Sequence, residues 1–133
     1  MIGQKERLPE DAKKAIEVAE KATENNTNLH LNLAISYGGK WDILNAVKKI
    51  IDDKIPSEKI DETLFESYLS TAGLPSPDLI IRAGGEMRLS NFVLWQAAYS
   101  ELYFSPKLWP DFTSHDFDLA MEEFSNRQRR YGK

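Results

Sequence analysis

Arg82, Arg88 and Ser90 lie close together in Arg82-Ala83-Gly84-Gly85-Glu86-Met87-Arg88-Leu89-Ser90-Asn91. Two guanidiniums and a hydroxyl are the donors that a phosphate or diphosphate requires, because a guanidinium presents a planar fork of N–H groups to oxyanions. Gly84 and Gly85 lack a Cβ, so the backbone there can approach a ligand closely. A plainer reading uses the same residues: Arg82 or Arg88 pairs with Glu86 on the surface, beside a flexible turn. The residue types alone leave both readings open.

The elements around these residues favour the anion. Asp78-Leu79-Ile80-Ile81-Arg82 is an apolar run of strand length that ends in a charge. In α/β sheets ligands bind beyond the carboxyl ends of strands, where Arg82 falls. Asn91–Ala98 reads as a buried helix, and its N-terminal amides would face the same place and attract negative charge.

Upstream, Met1 runs into Ile2-Gly3, which reads as a strand end. Pro9 suits a first helical turn, and Ala12, Ala15, Ile16 and Ala19 recur at helical spacing until Asn25-Asn26. Leu29, Leu31, Leu33 and Ile35 alternate with other residues and predict a strand with one apolar face. After the Tyr37–Lys40 turn, Trp41, Leu44, Val47, Ile50 and Ile51 predict a second amphipathic helix. Leu64, Phe65, Tyr68 and Leu69 suggest a third, short one.

Downstream, Glu101–Phe104 reads as a strand and Trp109-Pro110-Asp111 as a loop. Ser114 is the expected N-cap of a last helix carrying Phe117, Ala120, Met121 and Phe124. Strands alternating with helices imply an α/β fold with a mostly parallel sheet covered by helices. Three strands and a stub at residues 1–3 make a thin sheet, so part of the domain is expected to be missing.

Bulk properties narrow the field. The 133 residues suffice for one modest domain, and 17 basic against 21 acidic residues give a net charge of −4. That balance disfavours a nucleic-acid partner. The last stretch, Asn126–Lys133, is basic nonetheless. It fits a solvated helix end or a source of cations for an anionic ligand. No cysteine is present, which excludes disulfides and thiolate metal sites and fits a reducing cytoplasm. No signal peptide or membrane-length apolar run is visible, so at most peripheral membrane contact is expected.

The run from Arg82 to Phe92, continuing through Leu94-Trp95-Gln96 and Ala98-Tyr99 to Glu101-Leu102-Tyr103-Phe104, is very similar to the signature of cis-prenyltransferases of the undecaprenyl diphosphate synthase type. Trp109-Pro110-Asp111-Phe112, Arg127–Gly132 and Ser36–Ile43 extend the resemblance over nearly the whole chain. It implies the C-terminal portion of a cis-prenyltransferase fold, residues 1–133, with the N-terminal strands missing. It also implies condensation of isopentenyl diphosphate with an allylic diphosphate such as farnesyl diphosphate, a homodimer, and Mg²⁺.

In that picture Arg82, Arg88 and Ser90 hold the diphosphate of isopentenyl diphosphate. Glu101 matches an acidic residue near the metal, contributed across the dimer. Arg130 and Gly132 match a terminal Arg-x-Gly motif that reaches the partner's substrate phosphates.

Several positions depart from the family pattern. Nothing matches the metal-binding aspartate block of the family's N-terminal half, and His30 and His115 lie in the wrong contexts to replace it. No catalytic residue is therefore expected in this portion, which is expected to be inactive alone. Ala83 stands in place of a common threonine, Ser36 in place of an asparagine, and Met87 where some members have histidine. Trp95, Tyr99, Tyr103, Phe104 and Trp109 could line a lipid tunnel, but at their spacing they more readily serve core or dimer contacts. The other readings are a non-catalytic partner subunit of a heteromeric synthase and an unrelated anion-binding α/β domain.

Overall fold

Helical periodicity and proline punctuation organise the first 74 residues. The structure is a computed structural model and describes residues 1–127. It divides into two compact units, Met1–Leu74 and a second that begins at Pro75.

In the first unit Pro9 precedes α1 (Glu10–Thr23), whose Ala12, Lys13 and Ile16 are half-buried while its other Lys and Glu residues face water. α2 (Gly39–Asp52) packs on α3 (Glu62–Tyr68). The buried positions on these two helices include Ala46, Ile50 and Phe65, with Leu69 just beyond α3. The expected α2 face is only partly the packed one. Leu44, Val47 and Ile51 form an exposed apolar stripe, whereas Asp42, Ala46 and Ile50 face inward at a spacing of four.

Asp42 is the unexpected member of that face, with a relative exposure of 1%. Its carboxylate accepts the Tyr37 hydroxyl at 3.1 Å and the Ser70 amide at 2.9 Å. A buried carboxylate needs such partners. Here they tie the first turn of α2 to the chain leaving α3.

The predicted strand over 29–35 is not realised as a strand. Only Ala34 pairs, in a parallel bridge with Ile2. Ile2 donates to the Leu33 carbonyl at 2.9 Å and accepts from the Ile35 amide at 3.0 Å. Gly3 follows with φ 115°, and a Cβ there would lie 2.1 Å from the Ile35 oxygen, so only glycine fits. Leu29, Leu31 and Leu33 are 80%, 72% and 51% exposed. Their alternation is that of a sheet position, but a ladder needs a neighbour on the hydrogen-bonding edge. Among the described residues only the Ile2 segment supplies one.

The second unit holds the expected pair of strands. β1 (Leu79–Arg82) and β2 (Glu101–Phe104) run parallel, with Leu79 opposite Glu101 and Arg82 opposite Phe104. α4 (Ser114–Asn126) packs beside β2.

Its N-cap is Thr113 and not Ser114. The Thr113 hydroxyl accepts the Asp116 amide, and the Asp116 carboxylate accepts the Thr113 amide at 2.8 Å, a reciprocal capping box. Lys107 Nζ lies 2.7 Å from the same carboxylate. Its hydrogen bond, followed by those from the Thr113 hydroxyl and amide, holds the Asp116 carboxyl well below its ordinary value of 3.8.

A carboxyl depressed on folding stabilises the folded state above its unfolded value and loses that contribution as pH falls through the folded value. The stability difference between wild type and Asp116→Asn is therefore expected to be constant above pH ~5 and to shrink progressively below about pH 4. Thermal melts of both proteins across pH 3 to 7 check this. A difference that persists unchanged at pH 3 counts against the ion pair.

The predicted helix over 91–98 is also corrected. Residues 91–95 are turns, and only Gln96–Tyr99 form a short 3-10 turn. Ser90, Asn91 and Val93 have φ of 47°, 68° and 37°, which no right-handed helix allows. A positive φ is especially costly for β-branched Val93, which is buried. The largely apolar segment Phe92–Ala98, interrupted only by Gln96, reads as helix because burial and helical periodicity look alike over so short a span.

Candidate functional site

Parallel pairing sends the chain out of β1 and β2 at the same end, and two loops meet there. The first runs from Ala83 to Asn91, the second from Ser105 to Thr113. Backbone bonds lock them together: the Ser105 amide donates to the Arg82 carbonyl at 2.8 Å, Gly85 to Ser105 at 2.9 Å, and Gly84 to Lys107 at 2.7 Å. Gly84 and Gly85 adopt φ of 102° and 72°, which the loop's reversal demands. A Cβ on Gly84 would meet nothing within 4 Å, so the side of the loop facing that direction is open. The two amides themselves are already committed to carbonyls.

Arg82 reaches across this loop. Its Nη1 donates to the Ser90 hydroxyl at 3.0 Å and to the Arg88 carbonyl. The first arginine and the serine are thus brought together. Arg88 turns its guanidinium to Glu86, in an ion pair whose members are both exposed. The surface-pair reading thus holds for Arg88 and Glu86, while Arg82 closes the loop on itself through Ser90 and the Arg88 carbonyl.

The helix N-terminus expected at Asn91 is absent, because the backbone there is not helical. Any anion at this site would rely on side chains and not on a helix dipole.

Glu101 lies at the opposite end of the strand pair, opposite Leu79. Three residues of strand separate it from the level of Arg82, about 10 Å. Its carboxylate accepts Nη1 of Arg127 at 2.8 Å, and the same nitrogen donates to the Leu102 carbonyl at 3.0 Å. Arg127 also pairs with Glu123, one helical turn back on α4. Among the described residues no group of three or more His, Asp or Glu side chains converges as a metal site requires. Glu101 contributes one carboxylate, already paired. Arg130 and Gly132 lie outside the described residues.

Sequence reasoning missed Arg127 as an individual residue and folded it into the basic tail. The i,i+4 spacing of Glu123 and Arg127 was the available signal. It also passed over the Lys107–Asp116 tie, whose signal was the Thr113-x-x-Asp116 capping pattern.

A parallel strand pair whose carboxyl end carries a glycine loop closed by Arg82 on Ser90, with α4 packed beside it, defines an α/β protein. The chain belongs to the prenyltransferase family described as "Putative undecaprenyl diphosphate synthase", whose model it matches over residues 1–132.

Relatives bear on the same point. A farnesyl-diphosphate-specific ditrans,polycis-undecaprenyl-diphosphate synthase of Legionella pneumophila (strain Paris) is 48% identical over 98% of this chain. A geranylgeranyl-diphosphate-specific tritrans,polycis-undecaprenyl-diphosphate synthase of Thermoplasma volcanium is 49% identical over all of it. The chain spans 57% and 53% of the length of these two relatives. Among solved structures, lavandulyl diphosphate synthase from Lavandula x intermedia, in complex with dimethylallyl diphosphate, superposes with a TM-score of 0.94 at 44% identity. That match covers 99% of this chain and 58% of the other. No described helix is long and apolar enough to cross a membrane.

Proposed function

We propose that residues 1–133 form the C-terminal portion of a single cis-prenyltransferase domain, which condenses isopentenyl diphosphate onto an allylic diphosphate such as farnesyl diphosphate. The observation that carries this reading is the Arg82–Ser90 contact inside a chain that matches the family model over residues 1–132. Arg82, Arg88 and Ser90 hold the diphosphate of isopentenyl diphosphate. On binding, the phosphate oxygens replace the Glu86 carboxylate as the partner of Arg88, and Arg82 keeps the loop closed through Ser90.

The reaction breaks an allylic carbon–oxygen bond and joins the freed carbon to the double bond of isopentenyl diphosphate. The residues of this chain contribute positioning: a diphosphate held at several points keeps its double bond aimed at the reacting carbon. They do not ionise the allylic substrate.

Mg²⁺ is the family's expected ion, but the described residues do not fit it by themselves, since Glu101 is a single carboxylate engaged by Arg127. Further roles rest on the resemblance alone: Glu101, Arg130 and Gly132 serving a second subunit of a homodimer, and a cytoplasmic location.

The test compares the 133-residue chain with a protein in which it continues a cis-prenyltransferase N-terminal half. Incorporation of radiolabelled isopentenyl diphosphate into polyprenyl product is expected only from the longer protein. Turnover by the 133-residue chain alone would overturn the division of labour, and a longer protein that folds yet makes no product would overturn the function. In the active protein, Arg88→Ala is expected to raise KM for isopentenyl diphosphate by about 10-fold or more, the loss of one charged hydrogen bond. KM for the allylic substrate should move far less, and equal effects on both substrates count against the assignment.

A further inference from the structure

Arg127 occupies a position in which three oxygen acceptors converge. Nη1 is shared between Glu101 Oε2 at 2.8 Å and the Leu102 carbonyl at 3.0 Å, and Nη2 reaches the Glu123 carboxylate. The guanidinium and Glu101 side chains are 29% and 27% exposed, so the pair is partly withdrawn from water.

A helix-end arginine would need only Glu123 and the last carbonyls of α4 to be explained. The bonds to Glu101 and to the Leu102 carbonyl go beyond that, because they join the end of α4 to the start of β2. A planar fork can satisfy these acceptors together, which a lysine ammonium on its flexible stem cannot reproduce.

We propose that Arg127 acts as an internal cation that holds Glu101. It takes the place between Glu101 Oε2 and Glu123 that a divalent ion would otherwise seek, so an ion bridging those two carboxylates must displace the guanidinium. The inference rests on the proposed function only in its interest in Glu101. Its geometry stands whether or not the chain is part of a prenyltransferase. Arg127 is a positioning residue in this scheme: it fixes where the Glu101 carboxylate points and whether it is available.

The experiment uses the 133-residue chain and Mn²⁺ alone, with paramagnetic broadening of the backbone amides of residues 101–103 as the readout. In the wild type these signals should be broadened no more than those of other exposed carboxylate segments. Arg127→Gln should lower the Mn²⁺ concentration needed to broaden them by roughly fivefold, the size expected for removing one competing charge at a partly exposed pair. Arg127→Gln combined with Glu101→Gln should abolish the gain. Arg127→Lys should restore only part of the wild-type resistance.

Strong broadening at these amides in the wild type, or none gained in Arg127→Gln, would overturn the proposal. If Arg127→Gln does not fold, Glu101→Gln alone decides: unchanged Mn²⁺ binding supports the proposal and weakened binding defeats it. Polyprenyl synthesis is not part of this readout, so failure here leaves the proposed function standing, and failure of that function leaves this result intact.

Discussion

Replacing Arg82 with alanine is expected to weaken binding of isopentenyl diphosphate by about 10- to 150-fold, equivalent to about 1.5–3 kcal/mol. The effect has two sources. One is loss of a charge-assisted contact to phosphate, which is stronger than a neutral hydrogen bond. The other is loss of the tie from Arg82 to the Ser90 hydroxyl and the Arg88 carbonyl, which holds the loop in its strained conformation.

Arg88→Ala removes only the first kind of contact, so Arg82 is the larger determinant. Arg82→Lys should recover little, because one ammonium cannot serve the serine, the carbonyl and a phosphate in the same fixed plane. Ser90→Ala should cost less than either arginine. Calorimetric titration of the chain with isopentenyl diphosphate measures each value. An Arg82→Ala chain that binds as tightly as wild type, with its loop intact, refutes the assignment.

The same loop shows how far the sequence could be read. Local rules locate β1, β2 and the described α-helices, because these carry their own periodicity and start or stop signals: Pro9 before α1, Pro56 after α2, and the glycine pair after β1. The nearness of Arg82 and Ser90 followed from their place in one short glycine-containing motif, but the direct hydrogen bond between them did not.

The segment after Ser90 was not legible. Phe92, Val93, Leu94 and Trp95 have the composition of a buried helix, and the positive φ values that prevent one are imposed on residues with no preference for them. Tertiary surroundings decide such a conformation, and single-residue preferences oppose it. The alternation at Leu29, Leu31 and Leu33 was read correctly as a pattern. A ladder, however, depends on a second strand, and no periodicity within one segment can reveal whether that strand is there. Glu101 was singled out by its motif, while the cation that holds it, Arg127, is 26 residues away in the chain.

Asp42 is the clearest case of a residue whose importance is invisible in sequence and decisive in the fold. On a helix with Trp41, Ile43 and Leu44 as neighbours it looks like a solvated charge, yet it is the largest fully buried side chain described. Asp42→Ala would take away the acceptor of the Tyr37 hydroxyl and leave the Ser70 amide facing a cavity. Unmade hydrogen bonds to a buried charged group are expensive, and a total of about 2–4 kcal/mol is expected.

Domains of this size are stable by only about 5–15 kcal/mol, so the loss is a large fraction of what holds the first unit together. It corresponds to a fall in Tm of roughly 6–16 °C. Asp42→Asn keeps an oxygen for the Ser70 amide and should cost about half as much. Circular dichroism melts give the stability change, and hydrogen exchange at the Ser70 amide gives its cause. That amide should lose protection selectively in Asp42→Ala and keep most of it in Asp42→Asn. A Tm shift without loss of protection at Ser70 would mean that Asp42 acts through packing in α2 and not through the bond that joins α2 to the end of α3.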